Sequence, residues 1–199
     1  MNRREFLTLC GGLMMATELN AMPKLTADGA NAVDKKFDNL KLNIRQLKID
    51  VGATKPFGAL HVSDSHMTRA DERDGERKMN LAAGRYKIFP FAEHYFDLQI
   101  RYALAKGLMM IHTGDMIDFV SERNHAFIRS QLRVGQWVAS TGNHEYSLYV
   151  GEAKEDEAYK AQSRDKLQKA YGDVCNVTFN SKVINGVNFV SVDDVYYNF

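Results

Sequence analysis

Apolar residues along this chain gather in short runs, and three of the runs stop at residues able to do chemistry. Phe57-Gly-Ala-Leu-His-Val62 leads to Asp64-Ser65-His66, and Leu108-Met-Met-Ile111 leads to Gly114-Asp115-Met116-Ile117-Asp118. Trp137-Val138-Ala139 leads to Gly142-Asn143-His144-Glu145. Short apolar runs bounded by turn residues predict buried strands. Between the first two, Tyr95-Phe96, Gln99-Ile100 and Ala103-Leu104 recur at helical spacing. They predict a helix over 92–106, with Pro90 ahead of it and Gly107 as its stop. Ser121 predicts the N-cap of a second helix through Phe127, Ile128 and Leu132. Strands and helices in this order make an α/β layer structure, in which ligands bind at strand ends.

Elsewhere the pattern changes period. Residues 40–51 alternate apolar and polar positions, which predicts one or two strands with a solvated face. Residues 68–85 are dense in charge around Gly75 and predict a solvated loop; its place after Asp64 and His66 makes it a candidate lid. Residues 153–171 predict a charged surface helix with a thin apolar stripe of Ala158, Ala161 and Leu167. Two strands, 176–180 and 187–192, flank Asn185-Gly186 and predict a β-hairpin. The chain closes on Val195-Tyr196-Tyr197-Asn198-Phe199, an aromatic end that suggests a continuation or a partner surface.

The N-terminus stands apart. Residues 1–22 set Arg3-Arg4-Glu5-Phe6-Leu7 before a short, glycine-diluted apolar stretch. That is the order of an export signal, and the paired arginines resemble a twin-arginine type. An exported, periplasmic or cell-envelope protein follows from that reading. The competing one is a packed first helix on a cytoplasmic protein. Residues 23–39 read as a linker, and 40–199 as the folded part.

Composition narrows the function. The chain has 199 residues, 45% of them apolar, with 26 basic and 25 acidic side chains. That supports a globular core, and a net charge of +1 offers nothing for nucleic acid or an anionic membrane. No apolar stretch is long enough to span a bilayer. Cys10 and Cys175 make no disulfide scaffold.

The three polar strand ends carry the chemistry. Asp64 and His66 are two apart, so an extended segment would put both on one face. Asp115 adds a carboxylate able to bridge two cations, and Asn143 adds an amide oxygen. Such mixed oxygen and nitrogen donors suit Mn, Fe, Zn or Mg ions. Two divalent or trivalent ions about 3.5–4 Å apart would clamp a phosphoryl oxygen and activate water. His144 would donate to the phosphoryl group or protonate the leaving oxygen. Asp118, three residues after Asp115, reads as a residue that orients the others. Glu145 reads as a cap or an orienter.

Together these blocks resemble the first three motifs of the calcineurin-like metallophosphoesterase family. The resemblance covers about residues 55 to 199, and any one block alone is unspecific. It implies a β-sandwich flanked by helices, and hydrolysis of phosphoric mono- or diesters in a phosphorylated small molecule or protein. It also implies that Asp64 and His66 bind a first ion, Asp115 bridges, Asn143 binds a second and His144 assists catalysis. The family then supplies further histidines, including a Gly-His-x-His block. After His144 this sequence has no histidine. The expectation is therefore an N-terminal portion of the domain, with the second metal site incomplete. A fragment, a domain completed by a second, C-terminal polypeptide, and a half-domain serving as a catalytically inactive binding or assembly module all fit that pattern.

Overall fold

The computed structural model describes residues 44–150, 165–172 and 179–193. The predicted export signal, the linker, both cysteines, most of the charged helix and the aromatic end lie outside the described residues.

Three short strands form a parallel sheet in the order β1 (Ala59–Val62), β2 (Met109–Thr113), β3 (Trp137–Ser140). Ala59 lies beside Met109, and Met110 beside Trp137. Parallel neighbours need long crossovers, and helices supply them. The first crossover contains α1 (Glu76–Tyr86) and α2 (Ala92–Lys106); the second is α3 (Glu122–Leu132). Gly107 closes α2 in the left-handed conformation, with φ 66°. Ser121 caps α3, its hydroxyl accepting from the Asn124 N–H at 2.9 Å. These are the start and stop the sequence predicts.

Burial in β2 and β3 is nearly continuous, as a parallel sheet covered on both faces requires. The core joins Phe96, Ile100 and Ala103 of α2 and Ile128 and Leu132 of α3 to Met110, Trp137 and Ala139 of the sheet. A helical segment over 165–171, α4, adds Leu167 and Tyr171. Burying a Leu, Ile or Phe side chain is worth about 1.5–3 kcal/mol, so this cluster is the main stabilising term.

An antiparallel hairpin packs beside the sheet: β4 (Phe179–Ile184) and β5 (Val187–Val192). Its turn residues Asn185 and Gly186 both have positive φ, 50° and 82°. A two-residue turn of this kind matches the natural strand twist. It also fixes register, so β4 runs up to residue 184 and pairs Ile184 with Val187. The strand expected over 176–180 therefore extends to residue 184, while 176–178 lie outside the described residues. The Ser191 hydroxyl donates to Ala139 O at 3.0 Å, and Phe189 meets Phe57 edge-on, joining hairpin to sheet.

Two other expectations fail. Residues 44–51 form no strand; Leu47 is 82% exposed and Ile49 67%. Alternation encodes a strand only where a neighbouring edge offers hydrogen bonds, and among the described residues none pairs with this segment. Residues 68–85 are not an irregular loop. A short 3-10 turn, Glu72–Asp74, is closed by a capping box between Asp71 and Asp74, and α1 follows. The charges that suggest solvent are also good helix formers, and α1 buries no side chain completely.

Candidate metal centre

The three polar strand ends meet at the C-terminal edge of the parallel sheet. Beyond β1 and β2 the chain runs on as two adjacent loops. His66 N donates to Asp115 O at 2.9 Å, Met67 N to Met116 O at 3.0 Å, and Asp118 N to Met67 O at 3.0 Å. The segment holding Asp64 and His66 is not extended. Both residues are left-handed, with φ 55° and 45°, and Asp115 repeats this at 55°. Outside glycine this region is sparsely used, Asp and His being among the residues that tolerate it, and such backbone concentrates at functional sites. The shared-face argument for Asp64 and His66 is thus replaced by two left-handed turns.

Close approach of the loops depends on two glycines. A Cβ on Gly114 would lie 2.7 Å from Gly142 N, and one on Gly142 would collide with Asp115 Oδ1. Glu145 ties the same loops from beneath. Its fully buried carboxylate accepts from the N–H groups of Asp115 (2.9 Å), Ile117 (3.1 Å) and Gly142 (2.6 Å). Burial pushes its carboxyl up to about 7, against the pull of those backbone donors. Glu145 therefore organises the loops from below.

His66, Asp115 and His144 each offer a ligand atom within 4.8 Å of the others. Asp115 Oδ1 also accepts from His144 N at 3.0 Å. The two imidazoles meet edge to face at 4.6 Å. Behind them lies Asp118, which is wholly buried. His66 Nδ1 is 3.1 Å from Asp118 Oδ1; His144 Nδ1 is 2.7 Å from the Asp118 carbonyl oxygen and 3.3 Å from its carboxylate. With Nδ1 engaged on each ring, Nε2 is the nitrogen left for an ion. A carboxylate or carbonyl holding the far side of a ligating histidine is how metal sites fix ring orientation. Two nitrogens and one oxygen fit a borderline divalent ion.

Asp64 stands at the edge of this cluster. Its side chain is 64% exposed, and Oδ1 is 3.8 Å from His66 Nε2. Asn143 is exposed on the 3-10 turn Asn143–Tyr146. The fold thus gathers His66, Asp115 and His144, leaves Asp64 and Asn143 on the rim, and sets Asp118 and Glu145 below.

Two residues without a role in the sequence reading support the site. Arg85, from α1, grips Asp118 with both arms, Nε to Oδ2 at 2.6 Å and the second nitrogen to Oδ1 at 2.8 Å. Burial alone would raise the Asp118 carboxyl; the bonds from Arg85, His144 and His66 outweigh it and hold the group well below the usual carboxylate range. The Asp118 carboxylate in turn lifts His144 to about 9, so near neutrality this imidazole carries a proton. In that state it donates; to ligate an ion it must first release that proton.

His112, the other addition, is fully buried on β2. Gly114 N donates to its Nδ1 at 3.3 Å, which leaves the proton on Nε2, 2.8 Å from the Ser65 hydroxyl. Burial lowers its pKa to about 3, so it is neutral. It fixes the loop carrying Asp64 to the loop carrying Asp115. A histidine ending an apolar run two residues before Gly114 was the available signal. Arg85 had none, being one charge among many.

A cleft of about 290 Å³ opens beside this cluster, between Ser63, Asp64 and Ser65 and the start of α2. Phe89, which also lines it, stacks parallel to His66 with ring centres 4.5 Å apart. Comparison with family models, with curated proteins and with solved structures finds no match to this chain.

Proposed function

We propose that the chain is the N-terminal portion of a calcineurin-like metallophosphoesterase domain that hydrolyses phosphoric mono- or diesters. The observation that carries this reading is the convergence of His66, Asp115 and His144 at the strand ends, with Asp118 behind both imidazoles. The three sequence blocks that resemble the family are the ones that meet there.

A bound ion would supply charge to polarise a phosphoryl oxygen and lower the pKa of water. His66 and Asp115 would hold it, and Asp64 would reach it by a rotation from its exposed position. His144, charged near neutrality, keeps an Nε2 proton for the departing oxygen. Water adds to phosphorus, the phosphorus–oxygen ester bond breaks, and the alkoxide takes that proton. The water's own proton passes to solvent, and the alcohol and phosphate leave. Asp118 stabilises the imidazolium until it gives up that proton and again once solvent restores it, and Glu145 keeps Asp115 in place.

With His144 kept as the acid, His66 and Asp115, joined by Asp64, would hold one ion. Asn143 and histidines from a C-terminal continuation or a complementing polypeptide would hold the second. The alternative is a binding or assembly module without catalysis, favoured by the outward positions of Asp64 and Asn143. Export through residues 1–22 in a folded, metal-loaded state belongs to the same proposal. The test is metal analysis of the purified chain with an assay on chromogenic phosphomono- and diesters. About one Mn, Fe, Zn or Mg ion per chain is expected, with weak turnover abolished by Asp115→Asn. Binding of no metal would sink the metal-dependent reading and favour the module. Robust turnover by the chain alone would overturn the view that the second site is incomplete.

A further inference from the structure

We propose that residues 44–51 form a β-ribbon with the same residues of a second copy of this chain, the two strands running antiparallel and centred on Ile49. The proposal goes beyond the metal-centre reading and does not depend on it.

The segment has the pattern of a strand and lacks a neighbour. Every residue of 44–51 is exposed, so neither face of the segment is covered. Leu47, Ile49 and Val51 alternate with Gln46, Lys48 and Asp50, which puts the three apolar side chains on one side of an extended chain. None of residues 44–51 has positive φ, and the run ends where Gly52 turns left-handed at 66°. Its backbone pairs with no strand among the described residues. The root of the segment is fixed. Thr54 N donates to Asn185 O at 2.8 Å, and Asn185 Nδ2 donates to Lys55 O at 3.2 Å. An unpaired strand held out from a fixed root is a template for strand addition.

Charge identifies the added strand. In an antiparallel pair centred on Ile49, Lys48 of each copy lies opposite Asp50 of the other, and Leu47 lies opposite Val51. Both ion pairs then sit on one face and all the apolar side chains on the other. Sliding the register by two residues, in one direction or the other, sets Lys48 against Lys48 or Asp50 against Asp50. A parallel pair in register sets both like charges together. Sliding by one residue places apolar side chains opposite polar ones. The Ile49-centred register is the one that satisfies both patterns, and it is two-fold symmetric, as a contact between identical copies requires.

The test reads the oligomeric state of the full-length chain by sedimentation equilibrium. A short two-stranded ladder is marginal, so a weak dimer is expected, with Kd on the order of 10–100 µM. Lys48→Asp and Asp50→Lys each set like charges opposite one another twice, and each alone is expected to weaken the dimer about tenfold. Mixed in equal amounts, the two variants bring opposite charges together again and are expected to regain the original affinity as a heterodimer. Ile49→Pro removes a ladder N–H from each copy at the axis and is expected to abolish the dimer. Because the three residues are exposed, far-ultraviolet circular dichroism is expected to be unchanged in every variant, which separates a lost contact from a lost fold. A chain that stays monomeric at every concentration reached would overturn the proposal. A dimer indifferent to all three substitutions would place the contact on another surface and overturn it as well. So would a mixture of the two charge variants that stays as weak as either alone, since the proposed register requires the rescue.

Discussion

The C-terminal edge of the parallel sheet and the outer face of the β4–β5 hairpin are built on opposite terms. At the sheet edge, Asp118, Glu145 and His112 are buried, and three non-glycine residues adopt left-handed backbone. On the hairpin, Phe179, Val183, Val190 and Val192 are left more than half exposed. The first region hides polar groups and must satisfy each one; the second shows apolar groups that cost little one by one. Stability at the sheet edge is therefore conditional on partners, and single changes there should propagate. On the hairpin face they should not.

Removing Asp118 is the severest test of that contrast. Asp118→Ala leaves Arg85 and two histidines without their shared partner, at a cost of roughly 3–5 kcal/mol. Urea unfolding measures it, and a loss below about 1 kcal/mol would break the comparison. Acid comes next. His112 has a folded pKa of about 3 against an ordinary 6.5, so the fold favours its neutral form. Its contribution is complete above pH 6.5 and is lost as the pH falls toward 3, by a few kcal/mol in all. Unfolding at pH 7 and pH 4 should show this slope, and His112→Gln should flatten it. Gly114→Ala follows, because φ 106° and the Gly142 backbone both oppose a side chain. A loss of about 1–3 kcal/mol is expected, with weakened metal binding as the loops part. Val190→Thr should change stability by no more than about 0.5 kcal/mol. A change above about 1.5 kcal/mol would show that something covers this face in solution.

Much of the layout was legible because its signals are local. Periodicity in 92–106, the Ser121 cap, the Gly107 stop and the Asn185-Gly186 turn act within a few residues, and each predicted its element. The polar blocks were legible as strand ends because each follows an apolar run, and His66, Asp115 and His144 from the three blocks do come together. What stayed hidden depends on tertiary contact. Nothing in the charge run around Gly75 distinguishes Arg85 from its neighbours until α1 lays it against Asp118. The alternation in 40–51 describes a strand that, over residues 44–51, finds no partner in the described fold. The left-handed turns at Asp64 and His66 arise from pairing between two loops, which residue spacing does not encode.

Arg85 also makes α1 a reporter. This helix owns no completely buried side chain, and besides the Asp118 grip it is tied down by Lys78 on Val120 O and Arg77 over Tyr149. It cannot fray at its C-terminal end without stripping a buried carboxylate of its counterion. Whatever steadies the two imidazoles on Asp118 must, by thermodynamic reciprocity, slow the opening of α1. Amide exchange in a surface helix then becomes a gauge of occupancy in a centre it reaches only through Asp118.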